Sequence, residues 1–203
     1  MKSIVFNSNL TPLEAPSKSL EVSVESTLGR ENLRLKYTLL SSTLATKGLE
    51  AFAWEASATQ FCETLWKKTC FEVFVADRAS ERYWEWNFSP TGAWGAFSFS
   101  AARVRAPAEA RRDAGFPALT TDLSRISEGR LVLDVTLDWA FSPWLAWSAA
   151  NDRLSQDAVF SLNAITDSAN GERVHWALRH AESGRADFHL RENFLSLKEI
   201  ISR

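Results

Sequence analysis

Two glutamates lie among aromatic residues in predicted strands, and paired carboxyls in such a setting can catalyse glycoside hydrolysis. They are Glu72, in the run Phe71 to Ala76, and Glu85, in the run Tyr83 to Ser89. Alternation along the second run places Glu85 on the solvent-facing side of an amphipathic strand. No neighbouring residue is positioned as a nucleophile, so we expect a non-catalytic protein and keep a hydrolase that uses Glu72 and the histidines as the alternative.

Three histidines near one carboxylate suggest a possible metal site. His175, His180 and His189 lie close in sequence to Asp187, and three imidazoles with a carboxylate can bind zinc. On a continuous strand, however, the odd spacing of His175 and His180 would point them to opposite faces. We therefore expect no cofactor, and a haem- or metal-binding protein stays an alternative.

Tryptophans that lie beside charged residues are the remaining indication of a ligand-binding site. Trp84, Trp86 and Trp139 fit core positions, whereas Trp66 and Trp176 lie at strand ends beside charged residues. Flat rings at a rim, next to hydrogen-bonding groups, suit a polyhydroxylated ligand, since a sugar has an apolar C–H face and polar edges. The predicted ligand-binding residues are Trp66, Glu72, Asn87, Arg103, Trp176, Arg179 and His180.

Such a site requires its parts to converge. A fully extended chain would hold Trp66 roughly 20 Å from Glu72, so we expect residues 66–69 to curl back over the strand. We also expect Arg103 to pair with Glu72 in the empty site, where both groups would be positioned for diols.

Alternating hydrophobic runs dominate the elements that must carry these residues. The run Leu131 to Trp139 alternates throughout, with Leu133 and Val135 among its inward side chains. Turn residues separate neighbouring runs, as in Ser89-Pro90-Thr91-Gly92, which predicts a hairpin. Nine or ten short strands with almost no helical periodicity predict an all-β fold, an antiparallel β-sandwich that is jelly-roll-like.

Length and charge narrow the class of protein. The 203 residues fit one domain, residues 1–203, and the formal net charge of -2 offers no field that attracts phosphate backbones. We expect no nucleic-acid partner, and no apolar run approaches the roughly 18 residues that a membrane helix needs. We therefore expect a cytoplasmic protein with a small-molecule ligand. Cys62 and Cys70 are predicted to be two reduced thiols.

Several of these segments together resemble a known family. Residues 65–74, the run Tyr83 to Gly92, residues 176–180 and Asp187-Phe188-His189 are similar to bacterial DOMON-like domains related to type 9 carbohydrate-binding modules. The resemblance covers roughly residues 65–103 and 172–194. It implies a jelly-roll-like sandwich that binds sugars or haem without catalysis.

The resemblance implies ligand contacts at four positions of this chain. It maps ligand contacts onto Trp66, Glu72, Arg103 and Trp176. Met1 is the only methionine, so the Met/His axial pair of the haem-binding relatives is not available here.

Overall fold

The computed structural model describes residues 3–16, 19–55, 61–107, 118–122, 124–139, 143–151 and 153–203. Strands dominate these ranges. They are β1 Ile4–Asn9, β2 Thr11–Pro12, β3 Leu20–Leu28, β4 Asn32–Ser41, β5 Cys70–Asp77, β6 Tyr83–Phe88, β7 Trp94–Ala101, β8 Val104–Arg105, β9 Ala118–Asp122, β10 Arg130–Asp138, β11 Ala158–Asp167, β12 Arg173–Ala177 and β13 Leu195–Ser196.

The helices are short. The α-helices are α1 Ser42–Lys47, α2 Pro143–Ala150, α3 Leu154–Asp157 and α4 Leu197–Ile201, and 3-10 turns span Gly48–Ala51, Leu65–Lys67, Ile126–Glu128 and Arg191–Asn193. Among the described helices none is long and apolar enough to cross a membrane.

Two antiparallel sheets pack face to face, which confirms the predicted β-sandwich. The smaller sheet has the order β1-β3-β4-β10-β9, and the larger has the order β2-β12-β11-β5-β6-β7-β8 with β13 beside β11. The jelly-roll variant of the sandwich stays a prediction.

The smaller sheet follows its alternating sequence. In β10 the predicted inward residues Leu133 and Val135 are buried in the core between the sheets. Their strand neighbour β4 pairs with β10 in continuous register from Arg130 opposite Leu40 to Asp138 opposite Asn32. Period-two burial on a two-layer fold therefore accounts for this sheet.

The predicted hairpin between β6 and β7 is also confirmed. The backbone N–H of Gly92 donates to the Ser89 carbonyl at 2.9 Å, closing the turn. Gly92 has a φ of 92°, a conformation that other residues rarely adopt.

The two faces of the larger sheet differ in what covers them. Trp84, Trp86 and Phe88 point into the core between the sheets, as predicted. The alternate residues Tyr83 and Glu85 face outward, yet they are only 0% and 4% exposed. The prediction that Glu85 faces solvent is therefore wrong, because chain segments from outside the sheet cover this face.

Aromatic contacts show which segment covers it. The ring of His189 lies 5.3 Å from that of Phe74 and 5.2 Å from that of Phe99. The ring of Phe194 lies 5.8 Å from that of Phe74. The chain between β12 and β13 thus packs over the outer face of the larger sheet.

One hydrogen bond crosses the sandwich beneath this face. The buried hydroxyl of Tyr37, on β4, donates to the backbone carbonyl of Glu72, on β5, at 2.7 Å. The Tyr37 ring also lies 5.0 Å from that of Phe71. The smaller sheet therefore helps to hold the backbone that carries Glu72.

Candidate functional site

A pocket of about 370 Å³ opens on the outer face of the larger sheet. Its floor comes from alternate residues of four neighbouring strands, which point away from the sandwich core. These floor residues are Glu72 and Phe74 on β5, Glu85 on β6, Phe99 on β7 and Ile165 on β11. Its walls include Trp66, Arg103, Arg105, Arg173, His175, Phe188 and His189.

Two buried carboxyl groups define the floor. Glu72 is 2% exposed and Glu85 is 4% exposed, and the β5–β6 register pairs Phe74 with Glu85 and Glu72 with Asn87. The two glutamates are therefore diagonal neighbours on one face of adjacent strands.

Burial changes the acidity of both groups. Burial, reinforced by the nearby charge of Glu85, raises the pKa of Glu72 to about 8. Burial also raises the pKa of Glu85 to about 7, although the hydrogen bond from Asn87 and the charge of Arg105 act against this. The floor consequently holds protons at neutral pH that exposed carboxyls would lose.

Each floor carboxyl accepts one hydrogen bond. The Cys70 thiol donates to Glu72 Oε1 at 3.2 Å, and Asn87 Nδ2 donates to Glu85 Oε1 at 2.7 Å. Burial raises the pKa of Cys70 well above its ordinary value, so this thiol stays protonated. Cys62 and Cys70 are both free, as predicted.

Two amide atoms beside the carboxyls have no hydrogen-bond partner within the described part of the chain. They are Asn87 Oδ1 and Asn163 Nδ2, both buried. Asn87 and Asn163 flank Glu72 in register on the neighbouring strands. A row of three polar side chains thus crosses β6, β5 and β11 at the pocket floor.

A chain of hydrogen bonds links the Arg103 backbone, the Tyr83 hydroxyl and the His189 ring. The backbone N–H of Arg103 donates to the Tyr83 hydroxyl at 3.0 Å, and that hydroxyl lies 2.7 Å from His189 Nδ1. Burial raises the pKa of Tyr83 to about 12 and lowers that of His189 to about 4. Since both side chains are neutral at pH 7, the hydroxyl can accept from Arg103 and donate to Nδ1, and in that arrangement the His189 proton lies on Nε2. Nε2 lies 3.8 Å from Glu85 Oε2.

Arg103 reaches this position with an unusual backbone. Its φ of 59° makes it the one non-glycine residue with positive φ among those described. That conformation is uncommon for a residue with a side chain. The turn between β7 and β8 is held there by the N–H bond to Tyr83, and it points the arginine to the pocket wall.

The wall arginines each pair with an acid. The pairs are Arg103 with Asp187 at 2.8 Å, Arg105 with Glu63 at 2.5 Å and Arg173 with Asp167 at 2.7 Å. The predicted pairing of Arg103 with Glu72 is thus replaced by a pairing with Asp187. A guanidinium at the solvent-facing wall avoids the desolvation that a pair on the buried floor would require.

Trp66 presents the exposed ring of the pocket. It lies in the 3-10 turn Leu65–Lys67, directly before β5, and is 43% exposed. The next residues fold back, because Thr69 N–H donates to the Ala53 carbonyl at 2.8 Å. Trp66, Glu72 and Arg103 therefore line one pocket.

Trp176 requires a correction. It is 2% exposed and belongs to the core between the sheets, where its Nε1 donates to Thr166 Oγ1 at 2.9 Å. Alternation along β12 turns Trp176 inward and directs His175 and Arg173 outward to the pocket. The ring platform predicted at this position is absent, and His175 occupies the wall.

The other predicted residues lie around the pocket. Asn87 lies beneath it, hydrogen bonded to Glu85. Arg179 donates to the Glu192 carbonyl at 3.2 Å and to Glu199 at 3.3 Å, and His180 Nε2 lies 2.7 Å from the Thr11 carbonyl. Arg179 and His180 do not line the pocket, because they follow the end of β12 and turn toward α4 and β2.

The histidines do not meet as a metal site. Across the described ranges, no cluster of three or more His, Cys, Asp or Glu residues has the geometry to hold a metal ion. His175 instead lies 3.0 Å from Glu14 Oε1 through its Nδ1, and His189 faces Tyr83.

Sequence reasoning missed the roles of Glu85, Tyr83 and His189 in one site. His189 lies 106 positions after Tyr83, and no local pattern links the two. The sequence indicated His189 and Asp187 as candidate metal ligands and as part of the family resemblance, not as partners of Tyr83 and Arg103.

No family model and no curated protein matches this chain. A solved structure from Bacteroides uniformis, described as a "putative carbohydrate-binding protein", is similar over 91% of this chain and 83% of that chain. The TM-score is 0.54 and the sequence identity is 15%. This similarity supports the sandwich fold.

Proposed function

We propose that the chain binds a small carbohydrate in the pocket of the larger sheet and does not turn it over. The observation that carries this proposal is the combination of an exposed Trp66 ring at the wall with two buried carboxyls on the floor of one pocket. An aromatic face suits the C–H face of a sugar ring, and carboxyls bind its hydroxyls.

The pocket has the dimensions for a small ligand. Its volume of about 370 Å³ is near the lower end of the range of roughly 300–1,000 Å³ in which small molecules are bound. Phe74, Phe99 and Phe188 add apolar surface between the polar groups. The structurally similar protein from Bacteroides uniformis is itself described as a "putative carbohydrate-binding protein", which supports the proposed ligand class.

A hydrolase is the second candidate, and the two neighbouring carboxyls on the pocket floor favour it. A carboxyl that stays protonated at neutral pH can act as a general acid beside a second acid. The two candidates differ in what happens to a bound oligosaccharide. Release of new reducing ends by the wild type, abolished by Glu72→Gln, would establish the hydrolase and exclude the binding module.

A thermal-melt panel of mono- and disaccharides tests the binding proposal. A ligand at 100 times its dissociation constant adds about 2.7 kcal/mol to the free energy of unfolding, so a binder raises the melting temperature. Trp66→Ala should weaken that ligand at least about tenfold, or 1.4 kcal/mol, without much change in the melting temperature of the empty protein.

Matched controls separate the pocket from the rest of the surface. Ile201→Ala removes another exposed apolar side chain, which is 54% exposed and lies outside the pocket lining. That variant should bind like the wild type. Equal affinity in Trp66→Ala and Ile201→Ala, or no shift with any sugar, would exclude the proposed site.

A further inference from the structure

We propose that the pocket is selective for an amino sugar, with the protonated primary amine of the ligand lying against Glu72 and Glu85. This inference rests on the proposed function, since it names the class of carbohydrate that the same pocket takes. It follows from the hydrogen-bonding capacity and the charge of the floor.

When both carboxyls are ionised, the floor has more open acceptors than open donors; in the protonated form each carboxyl also carries one O–H donor. Glu72 and Glu85 each use one oxygen, with Cys70 and Asn87 respectively, and within the described part of the chain the second oxygen of each has no hydrogen bond. Asn87 Oδ1 and Asn163 Nδ2, which have no partner among the described residues, lie beneath the lining and do not reach the ligand. An ammonium group has three N–H donors and no acceptor, whereas a hydroxyl has one donor and two lone pairs. The ammonium therefore fits the floor better.

The charges around the pocket lead to the same class of ligand. The three wall arginines are each matched by an acid partner, Asp187, Glu63 or Asp167. The floor acids lie in no ion pair with an arginine or lysine among the described residues, although the charges of Arg105 and Arg103 still act on Glu85 from the wall.

Of the remaining groups that face the floor, His175 lies against an acid partner, with its Nδ1 3.0 Å from Glu14 Oε1. His189 is neutral at pH 7, because burial lowers its pKa to about 4. Its position is fixed by Tyr83, and Cys70 and Tyr83 remain protonated and uncharged. A cationic ligand would therefore be the partner of the two ionised carboxylates.

The protons on the empty floor predict how binding is coupled to pH. At pH 7 Glu72 is largely protonated and Glu85 partly so. An ammonium against the two groups favours their charged forms, so its binding should release protons to the buffer. A neutral sugar has no such effect.

Calorimetric titration of glucosamine, glucose and N-acetylglucosamine at pH 7 tests the inference. Acetylation removes the charge while the sugar ring is kept. We expect glucosamine to bind at least tenfold more tightly than the other two. We also expect it alone to give a binding enthalpy that depends on the ionisation enthalpy of the buffer, which reports proton release.

Two variants test whether the preference for glucosamine and the proton release arise at the two floor glutamates. Glu72→Gln combined with Glu85→Gln keeps the shape of the protonated floor and should remove both the preference and the proton release. Asp134→Asn removes a carboxylate on β10, outside this pocket, and should leave both unchanged.

The outcomes separate the two levels of the proposal. Equal affinities for glucosamine and glucose, both weakened by Trp66→Ala, would overturn the amine selectivity and leave the carbohydrate site intact. Binding of cyclohexylamine without binding of any of the three sugars would support an ammonium site at Glu72 and Glu85 and overturn the carbohydrate function. No binding of any of these probes at millimolar concentration would overturn both.

Discussion

At the residue scale, the two floor glutamates are the most informative groups in the chain. Burying a carboxyl is unfavourable unless it is neutral or paired, and among the described residues neither of these two forms an ion pair with an arginine. Proteins retain such arrangements at functional sites more often than in structural cores.

The raised pKa values predict how stability changes with pH. In the unfolded chain both glutamates titrate near the ordinary value of 4.5, whereas in the folded chain they titrate near 8 and 7. Between these values the folded state binds more protons, so the free energy of unfolding falls as pH rises. His189 opposes this only below its ordinary value of 6.5, because its pKa is lowered to about 4.

Between pH 6.5 and 8.5, therefore, the change in stability comes from the two glutamates without opposition from His189. Across this range we expect the wild type to lose on the order of 2 kcal/mol of unfolding free energy, as measured by urea denaturation. Glu72→Gln cannot ionise and should show a shallower decline. Parallel curves for the two proteins would mean that Glu72 is not protonated in the folded state.

At the element scale, the strands were predictable and their covering was not. Alternation in β10 and turn residues such as Pro90 and Gly92 identify a strand and a hairpin from local sequence alone. The same alternation made Glu85 look solvent-facing, because local periodicity shows that a side chain leaves the core but not whether a distant segment covers it.

Substitution in β10 tests the core assignment. Leu133 is 0% exposed and packs between the sheets, so Leu133→Ala removes buried methyl groups and leaves a cavity. We expect a loss on the order of 2 to 5 kcal/mol in the free energy of unfolding, measured from urea midpoints. Lys36→Ala, on the adjacent strand β4 but half-exposed, should change it by less than about 0.5 kcal/mol. A midpoint for Leu133→Ala close to that of Lys36→Ala would contradict the packing.

At the scale of the whole molecule, the site depends on contacts between remote parts of the chain. Trp66, Glu72, Glu85, Arg103 and His189 come from five separate segments. The convergence of Trp66 with Glu72 was inferred from the sequence because a site that uses both side chains requires the chain between them to curl back. The sequence did not show that His175, and not Trp176, faces the pocket, because this depends on the orientation of β12. It also did not show that His189 reaches the pocket, because this depends on the path of the chain beyond β12.

The hydrogen bond between the sheets gives a test at this scale. Tyr37→Phe removes the bond to the Glu72 carbonyl while it keeps the buried ring. We expect a loss of about 1 to 3 kcal/mol, because a buried carbonyl loses a partner. Ligand affinity should also fall if that bond helps to position Glu72. Unchanged stability would show that the carbonyl finds another donor and that the sheets do not need this bond.

The most direct test of the binding site follows the indole N–H signals by NMR during a titration with the sugar that gives the largest thermal shift. Trp66 is 43% exposed in the pocket wall, whereas Trp139 and Trp176 are 1% and 2% exposed in the core. The Trp66 signal is assigned by its loss in Trp66→Phe. We predict that it shifts and saturates at the calorimetric dissociation constant, while the Trp139 signal stays in place. Saturable binding with an unmoved Trp66 signal would contradict the proposed site.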